Sequence, residues 1–513
     1  MSEPPLLLRR VRRPGSDDLL DVLIADGRLA RIAPTGTDLT SASASRRLES
    51  TAQPIDADGA VLIPGLWDAH VHFHQWALRR ERLDLSQAED AGAVLDVVRS
   101  HSRQDAPLVG YGFRDATWPE PPSQAGLDAV AGERPVVLIA WDLHCAWLST
   151  AAARWLGVHP DPDGVVREAE WFAASRRLDA ATDSDDVGAA GRAATAAAAR
   201  GVVGIVDLEM ADNLAIWPER IARGVDTLRV RAGFYPDRLD AVIRAGLRSG
   251  DVLDRLGLLT VGPLKVIADG SLNTRTAYCR DPYEAPLPKE PQEHASTDGV
   301  HGHLEYDVAA LTHLIARARS AGLGTAVHAI GDAAVTAALD AYAAARPTAG
   351  QVPGLPASIE HAQLVHPDDL DRFAELGVTA SVQPEHAMDD RDIAEEYWPG
   401  RTGWAFPVRS LLDAGARVRF GSDAPVAPLD PWTAIAAAVT RSRDGRPPWH
   451  PEHRIAPAQA LAASTATRGL LRPGDVADLA LLDEDPVRCD PAVLRTMGVR
   501  GTLLGGRWTH SDW

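Results

Sequence analysis

Cysteine is scarce in this chain. Cys145, Cys279 and Cys489 are the only three in 513 residues, far apart and in no Cys-x-x-Cys pair. That argues against a disulfide framework and against a thiolate zinc site, and it fits a reducing cytoplasm. Basic clusters are missing too. Beyond the short pairs Arg9-Arg10 and Arg12-Arg13 the chain is acidic, with a formal net charge of −19. A nucleic acid or an anionic membrane is therefore not expected as a partner. No run of about 18 apolar residues occurs, so no membrane span is expected. The opening ten residues carry too short an apolar run for a secretory signal. No internal repeat stands out. What remains, 45% apolar and 24% charged, is the composition of a soluble globular protein. The length allows several domains or one large barrel with insertions.

One stretch organises the rest: Val61-Leu-Ile-Pro-Gly-Leu-Trp-Asp-Ala-His70-Val-His72-Phe-His74. Successive side chains of a strand point to opposite faces. His70 and His72 then share a face, about 7 Å apart along the strand. His74 joins them if the strand continues. Two neutral imidazoles on one face can converge on one metal ion. The motif alone decides nothing. With 17 histidines, one chance His-x-His is roughly an even bet. A second one, His301-Gly-His303, lies in a Pro-rich polar stretch that reads as loop.

The ends of the chain read as β-structure. Asp26-Gly27 sits between alternating apolar runs, a hairpin signal. Near the other end, Pro473-Gly474 precedes an apolar strand, and Gly505-Gly506 marks another hairpin. Neither piece can bury a core alone. Residues 1–63 and 466–513 are therefore expected to form one small β-sandwich built from both termini. Between them, residues 64–465 alternate β-type and helical runs. After the first strand, further strands are expected near 202–208, 228–234, 260–268, 323–328, 357–361, 378–383 and 417–423. Eight strands alternating with helices predict an α/β fold, a TIM-like (β/α)8 barrel. Residues 75–200 exceed one connection, so they read as an insertion after the first barrel strand plus the helix leading into the second. Trp118, Trp141, Trp147, Trp155 and Trp171 fall there. They fit either a subdomain with its own core or an apolar wall over the barrel mouth. Residues 281–303, broken by Pro282, Pro286, Pro288 and Pro291, are expected to form a mobile cover.

In such barrels the chemistry sits at the C-terminal ends of the strands. Those ends carry His70 and His72, then Lys265, His328, His361 and Asp423. Each has an ordinary reading: a hydrogen-bonded rim histidine, an exposed strand lysine, a turn aspartate. Together they fall on one rim in an order that can encircle a metal.

Several longer stretches carry a resemblance. They include Pro-Gly-Leu-Trp-Asp-Ala-His70-Val-His72, Lys265-Val-Ile-Ala-Asp-Gly-Ser-Leu-Asn-Thr-Arg-Thr-Ala and Ala-Val-His328-Ala-Ile-Gly-Asp. Further on stand Ile-Glu-His361-Ala-Gln-Leu, Ala-Ser-Val-Gln-Pro-Glu-His386 and Gly-Ser-Asp423-Ala-Pro-Val. The chain resembles the amidohydrolase superfamily, and within it amidohydrolase family 3, the metal-dependent hydrolases like N-substituted formamide deformylase. The resemblance implies a barrel with one or two divalent metals at its mouth. His70, His72 and Asp423 would hold the more buried ion, and His328 and His361 the second. Lys265 matches a position that carries a carbon dioxide-derived carbamate bridging both. Zinc is the expected metal, other first-row ions being alternatives. His144, Arg275 and His386 are candidate substrate contacts. Two departures stand out: Asn273-Thr274 replaces a more usual Gly-Ser, and Ser149 stands where an asparagine is more usual.

The implied chemistry is hydrolysis of a non-peptide amide bond of a small molecule by metal-activated hydroxide, with Asp423 shuttling the proton. A deaminase of a cyclic amidine is the alternative, and a non-catalytic barrel scaffold is a remote one. Oligomeric state is not legible.

Overall fold

Eight short apolar strands form one parallel sheet in chain order. They are β1 (Leu66–Val71), β2 (Val202–Asp207), β3 (Arg229–Phe234) and β4 (Leu259–Ile267), then β5 (Thr325–Ala329), β6 (Ala357–His361), β7 (Thr379–Val382) and β8 (Arg417–Phe420). The computed structural model describes residues 4–37, 52–101, 107–115, 118–141, 143–182, 186–283, 301–346, 355–465 and 471–513. Strands covered on both faces need apolar residues nearly throughout, and β2, β5 and β7 are buried along almost their whole length. The sheet closes where the chain leaves β8. Asp423 N donates to His70 O at 2.7 Å, and His72 N donates to Ala424 O at 2.8 Å. Gly421 permits that closure: a Cβ there would lie 2.7 Å from both the backbone N and the Cβ of His70.

Helices cover the sheet. Val308–Ser320 is capped by Asp307, whose carboxylate accepts from Ala310 N at 2.7 Å. Asp332–Ala344 is mostly alanine and buried along much of its length, which lets it pack closely on β5. Side chains alternate across β5 and β6. Val327 and Ile359 join the apolar layer under the helices, while His328 and Glu360 face the barrel interior.

Two four-stranded sheets come from the termini. One holds Leu6–Val11, Leu20–Ala25, Arg28–Pro34 and Gln53–Asp56; the other holds Val61–Pro64, Leu479–Leu482, Val499–Leu504 and Arg507–Ser511. Leu62, Leu479 and Leu481 meet Leu6, Leu8, Val22 and Ile24 between the sheets. The alternate residues Val61, Ile63, Ala480 and Leu482 pack into the barrel's own cluster. The second sheet is thus apolar on both faces, and it fastens the sandwich to the barrel. Asp478 adds a bidentate pair with Arg229 at 2.7 and 2.9 Å.

Residues 74–190 form a separate compact unit. Its five-stranded sheet runs Val165–Arg167, Cys145–Leu148, Val136–Ala140, Leu108–Phe113, Leu83–Asp84. Trp171 and Trp147 fill its two apolar clusters, while Trp155 is 36% exposed. The expected cover over 281–303 falls largely on positions 284–300, outside the described residues. Two local expectations change. β1 ends at Val71 and a helix begins at Phe73, so His74 is helical and does not continue the strand. β8 stops at Phe420, and Asp423 turns into the left-handed region with φ +56°. Among the described residues no helix is long and apolar enough to cross a membrane.

Candidate metal centre

The site begins with His70. Its Nδ1 donates to Glu360 Oε2 at 2.9 Å, with both side chains buried. That bond fixes the tautomer and leaves Nε2 for the barrel mouth. Nε2 lies 3.3 Å from Asp423 Oδ1 and 3.4 Å from Lys265 Nζ. His72, two residues on, places its own Nε2 3.2 Å from the same Asp423 oxygen. The strand parity of the His-x-His motif is therefore realised at a single carboxylate.

Next to His361 stands Glu360, which already faces inward, so regular parity would send His361 outward. It does not go. His361 adopts φ +70°, and its ring turns back to lie 5.1 Å from that of His70 and 4.4 Å from that of His328. Asp423 has the same left-handed backbone. Such residues cost on the order of 1–3 kcal/mol each and concentrate at functional sites. His328, from β5, lies with Nε2 3.3 Å from Gly270 O and 3.5 Å from Asp269 Oδ1. Asp269 in turn accepts from the backbone N–H groups of Ile330, Gly331 and Tyr278 at 2.9–3.0 Å, lacing the end of β4 to the end of β5.

Charge in this pocket suits a cation. Burial, with Lys265 nearby, pushes His328 down to about 3. Burial likewise lowers His70 and takes His361 well below its ordinary value. These imidazoles are neutral at pH 7, the state in which they donate lone pairs. Burial pushes the Asp423 carboxyl up, but His70, His72 and His361 around it hold it well below the usual range. Lys265, 1% exposed, is pushed down to about 8 by burial, against the pull of Glu360 and Asp423. His72 is raised: burial opposes its charge, and Asp423 outweighs that.

His72 Nδ1, His361 Nδ1 and His386 Nε2 are buried without a hydrogen-bond partner. Buried polar atoms are nearly always satisfied, so three together call for an explanation. Two three-residue groups bring their ligand atoms within 4.8 Å of one another: His70, His72 and Asp423, and His361, His386 and Asp423. Imidazole with carboxylate is a donor set for zinc and neighbouring first-row ions. The residues fit a metal.

His144 belongs to the separate unit, edge-on to Phe172 at 5.4 Å. Arg275, at φ +58°, places its guanidinium 5.0 Å from the Tyr397 ring. In the second His-x-His, His301 Nδ1 donates to Cys279 O at 3.1 Å, and His303 is exposed beside Glu305. Neither enters a metal-type group among the described residues. Three carboxylates escaped the sequence reading: Glu360, Asp269 and Asp68. Asp68 accepts from His70 N at 3.1 Å and Ser422 N at 2.9 Å, tying β1 to the chain after β8. Strand parity pointed to Glu360, because it alternates with Ile359; the other two needed the fold.

Known proteins are similar to this chain over most of its length. LONG AFTER FAR-RED 3 of Arabidopsis thaliana is 29% identical over 477 residues, 83% of this chain and 79% of that one. N-substituted formamide deformylase of Arthrobacter pascens is 27% identical over 533 residues, 94% of each chain. A crystal structure of an uncharacterized metal-dependent hydrolase from Pyrococcus furiosus superposes with a TM-score of 0.72 at 25% identity, covering 94% of this chain and all of that one. The sequence profile of the amidohydrolase family matches residues 53–510, from the first terminal sheet through every barrel strand to the last. With that span and this rim of imidazoles, the chain belongs to the amidohydrolase family and is a metal-dependent hydrolase.

Proposed function

We propose that this protein hydrolyses the carbon–nitrogen bond of a small N-substituted amide, releasing an amine and a carboxylate, with two zinc ions and a carbamate on Lys265. The observation that carries this reading is the buried Lys265 amino group, 3.4 Å from His70 Nε2 among the imidazoles. A lysine there suits a two-metal hydrolase, whereas a one-metal deaminase of cyclic amidines has no role for it. Its lowered pKa, about 8, raises the share of neutral amine, the form that combines with carbon dioxide. The similarity to N-substituted formamide deformylase over 94% of both chains supports an amide substrate.

Bound divalent ions supply a Lewis acid for the carbonyl and lower the pKa of water to about 7. The rest is the work of the chain. Glu360 orients His70 through Nδ1. Asp423, ionised and buried, accepts the proton of the attacking water on a carboxylate oxygen and delivers it to the leaving nitrogen. Arg275, on the turn that follows β4, is a proposed substrate contact. Three free cysteines favour a reducing, cytoplasmic setting.

The test pairs elemental analysis with a panel of N-formyl, N-acetyl and N-acyl arylalkylamines, plus purine and pyrimidine controls. Two ions per chain and amine release are expected. Ammonia from the ring controls with no amide cleaved overturns the reading. So does a protein that holds no metal and ignores chelators.

A further inference from the structure

We infer that His386 is a metal ligand: it completes, with His361 and Asp423, the cradle of the second ion at the barrel mouth. The inference rests on the two-metal reading and assigns β7, through the segment that follows it, a ligand of its own.

His386 opens the helix His386–Tyr397, four residues past the end of β7. It is 5% exposed. Its Nε2 is buried with no hydrogen-bond partner, and its ring stacks on that of His361 with centroids 6.2 Å apart and planes 26° apart. One ligand atom from each of His386, His361 and Asp423 lies within 4.8 Å of the others. In a tetrahedral site, bonds of about 2.1 Å set ligand atoms about 3.4 Å apart, so the widest pair has to close by up to ~1.4 Å. A histidine that only packed here would gain by bonding its nitrogen to a neighbour.

The ring is held where a ligand has to be. The preceding residue, Glu385, is clamped by a bidentate pair with Arg495 at 2.9 Å and by Arg443 at 2.9 Å. His386 N donates to Gln383 O at 3.1 Å. His328 is differently placed: its Nε2 lies against Gly270 O, so only Nδ1 remains for an ion. Asp423 stands in both cradles, with His70 and His72 on one side and His361 and His386 on the other. One carboxylate therefore couples the two positions.

The test is chelator titration of the full-length protein loaded with cobalt(II), read by its visible absorption and by metal content after dialysis. Wild type is expected to release metal in two steps. Replacing even an outer partner of a metal ligand costs about 10–100-fold in affinity, so His386→Asn should weaken one step by at least ~10-fold and change the other, coupled through Asp423, by less. His386→Ala should do the same, and metal-free melting curves matching wild type show that the fold is intact. Two unchanged steps overturn the inference and leave the hydrolase reading standing. Unchanged steps with a raised KM overturn it too, and make His386 a substrate contact. If wild type binds no metal, the two-metal reading itself fails.

Discussion

Replacing Glu360 with glutamine removes a negative charge beside His70 and keeps the side chain's shape. In wild type the carboxylate accepts from His70 Nδ1 at 2.9 Å, 3% exposed against 1% for the ring. Burial pushes the Glu360 pKa up, yet the bond to His70, with Lys265 nearby, holds it below the usual value, so it is ionised at neutral pH. A hydrogen bond to a charged group contributes about 1.5–3 kcal/mol and a neutral one about 0.5–1.5. The loss on going to glutamine is then about 1 kcal/mol, somewhat under ~10-fold in affinity for the ion held by His70. Glu360→Ala is harsher. It leaves Nδ1 buried without an acceptor, at about 1–3 kcal/mol, which approaches ~100-fold. The assay is competition with a graded series of zinc chelators, read as metal retained at equilibrium. Wild type, glutamine and alanine should rank in that order for one site while the second changes less. Coincident competition curves for all three would refute the idea that Glu360 sets the basicity of His70.

Asp423→Asn should keep the fold and lower turnover by about 10²–10⁴-fold, the usual cost of losing a general base; circular dichroism and steady-state kinetics check both halves. Lys265→Ala should bind the second ion more weakly and lose activity, with partial rescue by short carboxylic acids; no rescue and unchanged metal content would remove the carbamate from the scheme. The metal-free protein should lose stability as pH falls. Burial and Lys265 hold His328 at about 3 against an ordinary 6.5, so between those values the unfolded chain binds a proton that the folded one refuses. Melting points should drop from pH 6.5 downward, less so in His328→Asn, and a flat profile to pH 5 would contradict this. Asp478→Ala should strand the Arg229 guanidinium; full burial would make that about 3–5 kcal/mol, but Arg229 is 23% exposed, so about 1–3 kcal/mol is expected in a lowered thermal midpoint with the metal site unaltered.

Much of the barrel was legible because strands buried on both faces must be apolar almost throughout, and these runs alternate with helical ones. His70, His72, Lys265, His328 and Asp423 were legible because strand ends are where this architecture gathers its chemistry. His361 was located for the same reason, but parity alone would have aimed it the wrong way; only its φ of +70° brings it in. Glu360 and Asp269 were missed as partners because their work is done across the fold: Glu360 meets His70 from 290 residues away. The sequence marks His386 as a candidate substrate contact; that its ring stacks on His361 is visible only in the fold. The Trp-rich insertion left two readings open, and Trp147 and Trp171 answer part of that by filling their own unit's core.

The seam between Val61–Pro64 and Leu479–Leu482 also sets a clock on synthesis. These strands pair antiparallel, yet they lie roughly 400 residues apart in the chain. At about 5–20 residues per second the ribosome needs on the order of 20–80 s to deliver the second after the first. Through that interval Val61, Leu62 and Ile63 are a bare apolar strand edge, and the barrel residues beneath them lack a cover. A nascent chain stalled before Leu479 would carry that edge indefinitely, a template for pairing with another copy of itself. The late strand Leu479–Leu482 is thus what withdraws the early Val61–Pro64 edge from aggregation.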